Sequence, residues 1–317
     1  MRDVCVIGGS RYFGKRLIDR LLSAGDGVTV VNRGSAAPPA GAVHLVADRD
    51  DEESLERALG SRTFDVVVDQ VCYTPVQAAI ARRVFAGRTR RYVMTSTVEV
   101  YEHEDSAGLV GEDAVDPRTV RVDLGLPWGD PEFRDAHYGE GKRQAEAVFA
   151  TGSADTADIA DATDTADAEF PYVAVRVAHV LGGDDDFTGR LAHYAERIRS
   201  GEPIVVPAVN HPATYIHVEE IADFLAWVVG REFTGPVNAA SHGVLGTEEL
   251  CGVVAAGVPG GKVLLRSGDG SGGGDGGLSP LSFPRSYGMD NARATRLGFA
   301  FGHVREWLPR AVTETLH

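Results

Sequence analysis

The sequence predicts a doubly wound α/β fold: a parallel sheet with helices on both faces, joined to a smaller C-terminal α/β lobe. Three observations predict it. Short apolar runs rich in valine alternate with segments of helical periodicity through residues 1–180. Those runs place apolar residues consecutively rather than in alternation, as strands buried on both faces do. A glycine-rich turn, Gly8 to Gly14, joins the first run to the first helical segment.

The elements follow in order. Residues 4–9 (VCVIGG), 27–33 (GVTVVNR), 43–48 (VHLVAD), 64–71 (FDVVVDQV), 91–97 (RYVMTST) and 172–182 (YVAVRVAHVLG) read as buried parallel strands. Between them, residues 13–25, 52–60, 75–87 and 138–150 place apolar side chains at helical spacing. Residues 151–169 interrupt the alternation. Asp155, Asp158, Asp161, Asp164 and Asp167 recur there every third residue with no Lys or Arg. The segment lacks the glycine turns and mixed oxygen ligands of a calcium loop, so a solvated, partly disordered insertion is expected. Residues 267–277 (SGDGSGGGDGG) read as a second flexible loop. Residues 196–206, 218–230, 235–241, 247–258, 262–266 and 291–299 alternate helix and strand again. The expected organisation is a dinucleotide-binding domain over 1–180 carrying the acidic insertion. Residues 181–317 form mainly a substrate lobe, with some segments returning to the first core.

Composition narrows the function. The 317 residues are 43% hydrophobic and 24% charged, with a formal net charge of −15. That charge repels phosphate backbones and anionic lipid, so nucleic-acid and membrane roles are disfavoured. No apolar run reaches the ~20 residues of a membrane span. Cys5, Cys72 and Cys251 lie far apart and form neither a metal spacing nor a disulfide framework. With no signal-peptide pattern at the start, a reduced, cytoplasmic protein is expected, and no metal is called.

The Gly8-Gly9-Ser10-Arg11-Tyr12-Phe13-Gly14 turn sits where a Rossmann-type dinucleotide fingerprint belongs. Gly8 and Gly9 permit a tight turn and close backbone approach, and Gly14 lets the helix pack on the sheet. The helix amides then face a pyrophosphate. Arg11 stands where the usual pattern has its middle glycine. The second strand ends in Asn32-Arg33-Gly34, with no carboxylate for a ribose 2′-hydroxyl. Arg33 and Arg11 instead offer two cations to a 2′-phosphate, which favours NADP(H) over NAD(H). Asp48 suits either the adenine amino group or a simple strand-end turn.

Tyr138-Gly-Glu-Gly-Lys142 places a phenol and an ammonium four residues apart on one helix face. A nearby cation favours the phenolate and makes the ring oxygen a usable acid/base. Lysine is rare here, at Lys15, Lys142 and Lys262 of 31 basic residues. Keeping it at 142 suggests a need for a compact point charge rather than a planar fork. Taken alone, the spacing is equally that of a solvated helix face.

With these pieces aligned, the chain resembles the extended short-chain dehydrogenase/reductase family, in particular its NAD-dependent epimerase/dehydratase branch. GGSRYFG, TSTVEVY, YGEGK, RVAHVLGG, YIHVEEIAD and MDNARATRLGF carry the likeness, which spans nearly the whole chain. GGSRYFG is most similar to an atypical subgroup that also contains chloroplast stem-loop RNA-binding proteins. The resemblance implies a catalytic set of Thr97, Tyr138 and Lys142. Thr97 would orient the substrate oxygen, and Tyr138 would exchange its proton as hydride moves. Lys142 would hold the nicotinamide ribose and lower the tyrosine pKa. Related dehydratases carry Thr-Asp-Glu where this chain has Thr97-Val98-Glu99, so Glu99 is either an auxiliary base or a polar residue near the cleft. The resemblance also implies that His179 would border the nicotinamide, shaping its pocket rather than transferring protons. Similar epimerases read Arg-Asp-Tyr-Ile-His-Val where this chain has Ala213-Thr214-Tyr215-Ile216-His217-Val218. A diphosphate would then be gripped from elsewhere, such as by Arg190 or Arg285, or the substrate carries none. Tyr215 and His217 are pocket candidates, His217 reading better as a structural histidine between strand and helix.

The expectation is an NADP(H)-dependent oxidoreductase or epimerase, with NAD possible. It would act at a hydroxyl or carbonyl carbon of a sugar nucleotide or related polyhydroxylated metabolite. The alternative is a non-catalytic nucleotide sensor or RNA-binding protein on the same fold, which the negative charge opposes. A homodimer is a possible assembly.

Overall fold

The computed structural model describes residues 1–104, 108–151, 170–268 and 277–316. Apart from their end residues, the two loops expected at 151–169 and 267–277 lie outside the described residues. The first elements are β1 (Asp3–Ile7), α1 (Tyr12–Ser23), β2 (Gly27–Asn32), β3 (Val43–Val46), α2 (Glu52–Leu59) and β4 (Val66–Asp69). Next come α3 (Pro75–Phe85), β5 (Tyr92–Thr97), a 3-10 turn (Val98–Tyr101), α4 (Pro131–Ala136), α5 (Tyr138–Thr151), β6 (Tyr172–Val177) and β7 (His179–Leu181). After them run α6 (Arg190–Ser200), β8 (Ile204–Pro207), β9 (Tyr215–His217), α7 (Val218–Val229), β10 (Gly235–Ala239), α8 (Thr247–Ala256), β11 (Leu265–Gly268), α9 (Ala292–Arg296) and α10 (Val304–Leu316).

The main sheet has seven strands in the order β10-β6-β5-β4-β1-β2-β3. β1 pairs in parallel with both β2 and β4, and β3 and β5 extend the sheet in parallel on either side. The chain therefore winds outward from β1 to β3, then returns to lay β4 on the other side of β1. Such a switch point opens a crevice at the carboxyl ends of the strands, where ligands bind in this architecture. β4 and β5 are buried at every position, their apolar residues Val66–Val68 and Tyr92–Met94 leading into buried polar ends at Asp69 and Thr95–Thr97, whereas edge strand β3 exposes Val43 and Val46. The starts of α2, α3 and α4 are closed by side chains, Asp51 accepting from the Ser54 amide, Thr74 from the Gln77 amide and Asp130 from the Glu132 amide.

Two compact units emerge. The first comprises residues 1–102, 112–176 and 222–237, and its core includes Ile7, Val31, Val67, Phe85, Tyr92 and Phe149. The second comprises 103–111, 177–221 and 238–317, with a core around Tyr194, Tyr215, Leu250, Leu281 and Leu308. It contains two short parallel pairs, β7 with β9 and β8 with β11. No described helix is long and apolar enough to cross a membrane.

One sequence expectation is corrected here. The run 172–182 is two strands, because the chain leaves the main sheet at Ala178 and β7 pairs with β9. The Ala178 amide instead donates to the Ala239 carbonyl at 3.0 Å, so its backbone stays satisfied at the break.

Candidate active site

The glycine turn is built for close approach. Gly8 and Gly9 both take left-handed backbone, at φ +79° and +72°. A Cβ on Gly14 would lie 2.5 Å from the Gly9 Cα and 2.3 Å from the Gln70 side chain, so only glycine lets α1 start against the turn. Tyr12 is buried and also left-handed, at φ +52°, which costs a bulky residue about 1–3 kcal/mol. Strain of that kind is held only where surrounding structure enforces it. Arg11 heads α1 without a side-chain cap on the helix amides. The helix thus presents donors at the mouth of the β1–β4 crevice, an arrangement that suits a dinucleotide phosphate. Phe13 is half-buried, its ring 5.9 Å from that of Tyr12.

Asn32 ties this turn to its neighbours. Its Nδ2 donates to the Ser10 hydroxyl at 2.7 Å and the Ala36 carbonyl at 3.0 Å. Its Oδ1 accepts from the Gly34 amide at 2.7 Å and lies 2.9 Å from His44 Nε2. Those four contacts fill the hydrogen-bonding capacity of an amide, so Asn32 acts as a clamp on the turn and on the Arg33 loop. Arg11 and Arg33 are exposed. Asp48 is also exposed, and one of its oxygens accepts from the Asp50 amide at 3.0 Å, the strand-end turn.

The Tyr138–Lys142 pair occupies the first turn of α5. Gly139 and Gly141 look unfavourable in a helix, yet each answers a close contact. A Cβ on Gly139 would sit 2.6 Å from the Glu99 carbonyl, and one on Gly141 would sit 2.5 Å from the Tyr73 carbonyl. The helix start is thereby pressed between the turn after β5 and the loop after β4. Thr97 is buried, and its Oγ1 accepts from the Glu99 amide at 3.3 Å as cap of the 3-10 turn. Accepting there leaves the hydroxyl proton to be donated. The Glu99 backbone supplies both the cap contact and the carbonyl against Gly139.

Lys142 is no surface lysine: only 1% of it is exposed. Its Nζ donates to the Thr95 carbonyl at 2.7 Å and lies 4.5 Å from the Tyr73 ring centre and 5.8 Å from that of Tyr138. Burial pulls its pKa down to about 8, against the opposing pull of Cys72, Asp69 and Glu146, while Arg49 adds to the lowering.

Two buried ion pairs that the sequence reading passed over flank this lysine. Asp69, wholly buried at the end of β4, pairs with Arg49, accepts from Tyr92 Oη at 2.6 Å and accepts from the Val71 amide at 2.9 Å. Glu146, one helical turn beyond Lys142, pairs with Arg176 at 2.6 Å and accepts from Ser96 Oγ at 2.5 Å. Arg176 also donates to Tyr101 Oη, Glu112 O and Val115 O, each at 2.9 Å. This network joins β5, the 3-10 turn, α5 and β6. A charged residue inside an otherwise apolar strand, as Arg176 is, was the signal available in the sequence.

The second unit holds the remaining candidates. His179 stacks on Phe283 with centroids 4.8 Å apart, and Tyr287 and Tyr215 lie at 5.4 and 6.0 Å. Burial, then the charges of Arg190 and Arg285, lower its pKa to about 3, so it is a neutral ring at physiological pH. Arg190 opens α6, and the Arg285 guanidinium lies 3.9 Å from the Tyr287 ring centre. His179 Nε2 and Tyr215 Oη are buried without a hydrogen-bond partner among the described residues. His217 is structural: it contacts Glu314 at 3.2 Å and accepts from the Glu219 amide, while Glu314 takes the Gly183 amide.

Comparison with known proteins bears on the fold. Residues 4–84 match the NAD dependent epimerase/dehydratase family. The chain is similar to a UDP-glucose 4-epimerase of Thermotoga maritima solved with UDP-glucose, at 16% identity, 98% of each chain covered and a TM-score of 0.70. It is similar to the Bordetella bronchiseptica enzyme WbmG solved with NAD and UDP, at 16% identity, 99% of this chain and 93% of that one covered, and a TM-score of 0.69. A Thermus thermophilus UDP-glucose 4-epimerase solved with NAD gives 18% identity, 98% coverage of each chain and a TM-score of 0.64. No curated protein sequence matches the chain. Residues 4–84 thus match the model of the NAD dependent epimerase/dehydratase family, and the chain over nearly its whole length shares the fold of these solved epimerases.

Proposed function

We propose that the protein is an NADP(H)-dependent oxidoreductase or epimerase acting at a hydroxyl or carbonyl carbon of a sugar nucleotide or related polyhydroxylated metabolite. The buried ammonium of Lys142 beside Tyr138, on a helix start fixed by Gly139 against the Thr97 turn, carries this reading. When bound, the nicotinamide cofactor supplies hydride transfer to or from the substrate carbon. Gly8, Gly9, Ser10, Arg11, Tyr12, Phe13 and Gly14 would hold its phosphates, and Lys142 its nicotinamide ribose. Tyr138 exchanges a proton with the substrate oxygen, Thr97 orients that oxygen through its O–H, and Lys142 stabilises the phenolate. Glu99 supports them as an auxiliary base.

In the second unit, the Tyr215 hydroxyl, which has no hydrogen-bond partner among the described residues, suits with Arg190 and Arg285 a polar, anionic substrate. Two of the similar solved structures hold UDP-glucose or UDP, which supports a sugar nucleotide. Exposed Arg11 and Arg33 and the lack of an acid at the end of β2 support a 2′-phosphate, whereas the names of two relatives specify NAD.

Native mass spectrometry of gently purified protein tests the cycle: retained dinucleotide supports internal redox recycling, and consumption of NADPH with a ketone supports net reduction. Tyr138→Phe should lower turnover at least ~100-fold with binding retained. Full activity in that variant would end the catalytic assignment. Arg33→Ala should raise KM for NADPH about 10-fold and leave NADH unchanged, since one lost charge-assisted contact is about 1.5 kcal/mol.

A further inference from the structure

We infer that Tyr73 is a positioning residue for the Tyr138–Lys142 pair, its ring face holding the Lys142 ammonium charged within a buried site. This rests on the reading of Lys142 as the partner of Tyr138. Nothing in the Tyr-x-x-x-Lys spacing points to Tyr73, which lies in the loop between β4 and α3.

The ammonium lies 4.5 Å from the Tyr73 ring centre, nearer than to the Tyr138 ring at 5.8 Å, and the two rings are 6.2 Å apart. Tyr73 is held on both sides of its Cα. Its amide donates to Gln77 Oε1 at 2.6 Å, and its carbonyl meets α5 at Gly141. Burial, then Asp69, raises the pKa of its own phenol, so a neutral ring faces the cation. An ammonium shut away from water has lost its hydration. The negative face of an aromatic ring replaces part of it, and that attraction is strongest where solvent is excluded.

The other groups around Lys142 do not make the ring redundant. Asp69 at the end of β4 is paired with Arg49 from the loop after β3, and Glu146 on α5 is paired with Arg176 on β6. Each carboxylate thus brings a cation of its own, and their net field at Lys142 is reduced. Cys72 is buried, with its thiol pushed up to about 12 by burial, and it carries no charge at neutral pH. The Thr95 carbonyl accepts one ammonium proton. Beside that carbonyl, the Tyr73 face is the nearer of two rings that favour the charged form without a counter-cation.

The chain's three lysines make the test direct. Protein labelled with 13C at lysine Cε should give three resonances, Lys142 being the one lost in Lys142→Met. The wild-type Lys142 signal should titrate near pH 8, below the other two. Tyr73→Phe, which keeps the ring face, should titrate as wild type. Tyr73→Leu should lower the midpoint by about one pH unit, a tenfold loss of proton affinity. Pentafluorophenylalanine at position 73, which keeps the ring shape and reverses the sign of its face, should do the same even if the leucine variant misfolds. A wild-type midpoint with the fluorinated ring would overturn the proposal. The readout needs no turnover, so an inactive but normally titrating protein would refute the proposed reaction and leave the role of Tyr73 standing.

Discussion

Truncating Glu146 to alanine should destabilise the protein by about 3–5 kcal/mol, the cost of breaking one partner from a buried ion pair. The structure sets that magnitude. Glu146 is wholly buried and accepts three contacts from Arg176, at 3.1, 3.2 and 2.6 Å, plus one from Ser96. Arg176 donates through Nε and both terminal nitrogens, and the carboxylate takes the Nε proton and one from Nη2. Alanine would leave those donors and the Ser96 hydroxyl facing a dry cavity, with a full positive charge among them. Loss on this scale is a large fraction of the ~5–15 kcal/mol by which domains are stable. Urea denaturation read by circular dichroism gives the difference, with the m-value checked for change. Arg176→Met should cost a similar amount. The double variant Glu146→Leu/Arg176→Met should recover most of either loss, because the unpaired charge is then gone. A Glu146→Ala loss below ~1 kcal/mol, or simple additivity in the double variant, would refute the claim that the pair is dry and mutually dependent.

Three further outcomes follow from the same reasoning. Gly141→Ala should lower stability by about 1–2 kcal/mol although alanine is the better helix former, because its Cβ would lie 2.5 Å from the Tyr73 carbonyl; thermal melts read it. Gly252→Ala is the control, since Gly252 lies in helix α8 with nothing within 4 Å of the added Cβ, and it should raise stability by about 1 kcal/mol. His179 has a native pKa near 3 against 6.5 for the free side chain, so the unfolded state binds the extra proton between those values. Wild-type stability should therefore fall as pH drops from 6.5 towards 3, by up to about 1.4 kcal/mol per pH unit, and His179→Phe should show a shallower slope in urea midpoints.

Much of the fold was legible because it follows from local physics. Consecutive apolar residues such as 66–68 and 92–94 have the composition of strands buried on both faces, and that is where β4 and β5 lie. The left-handed pair Gly8–Gly9 and the close contact at Gly14 were likewise written into the glycine turn. The break at Ala178 was not legible, since β6 and β7 form one apolar run and differ only in the strand each pairs with. The clamp made by Asn32 was not legible either, because its four hydrogen bonds depend on groups that strand position alone does not supply.

What the sequence by itself determined is which residues share a face: Tyr138 and Lys142 one turn apart, Thr97 at the end of a strand, the glycines at a strand–helix turn. Helical and strand periods fix that much. What only the tertiary structure decided is what each face meets. Burial of Lys142, the Tyr73 ring across from its ammonium, the Arg49–Asp69 and Glu146–Arg176 pairs and the contacts that require Gly139 and Gly141 all join residues far apart in the chain. Proton affinity depends on solvent exclusion and neighbouring charge, and those are set by contacts that no local pattern encodes.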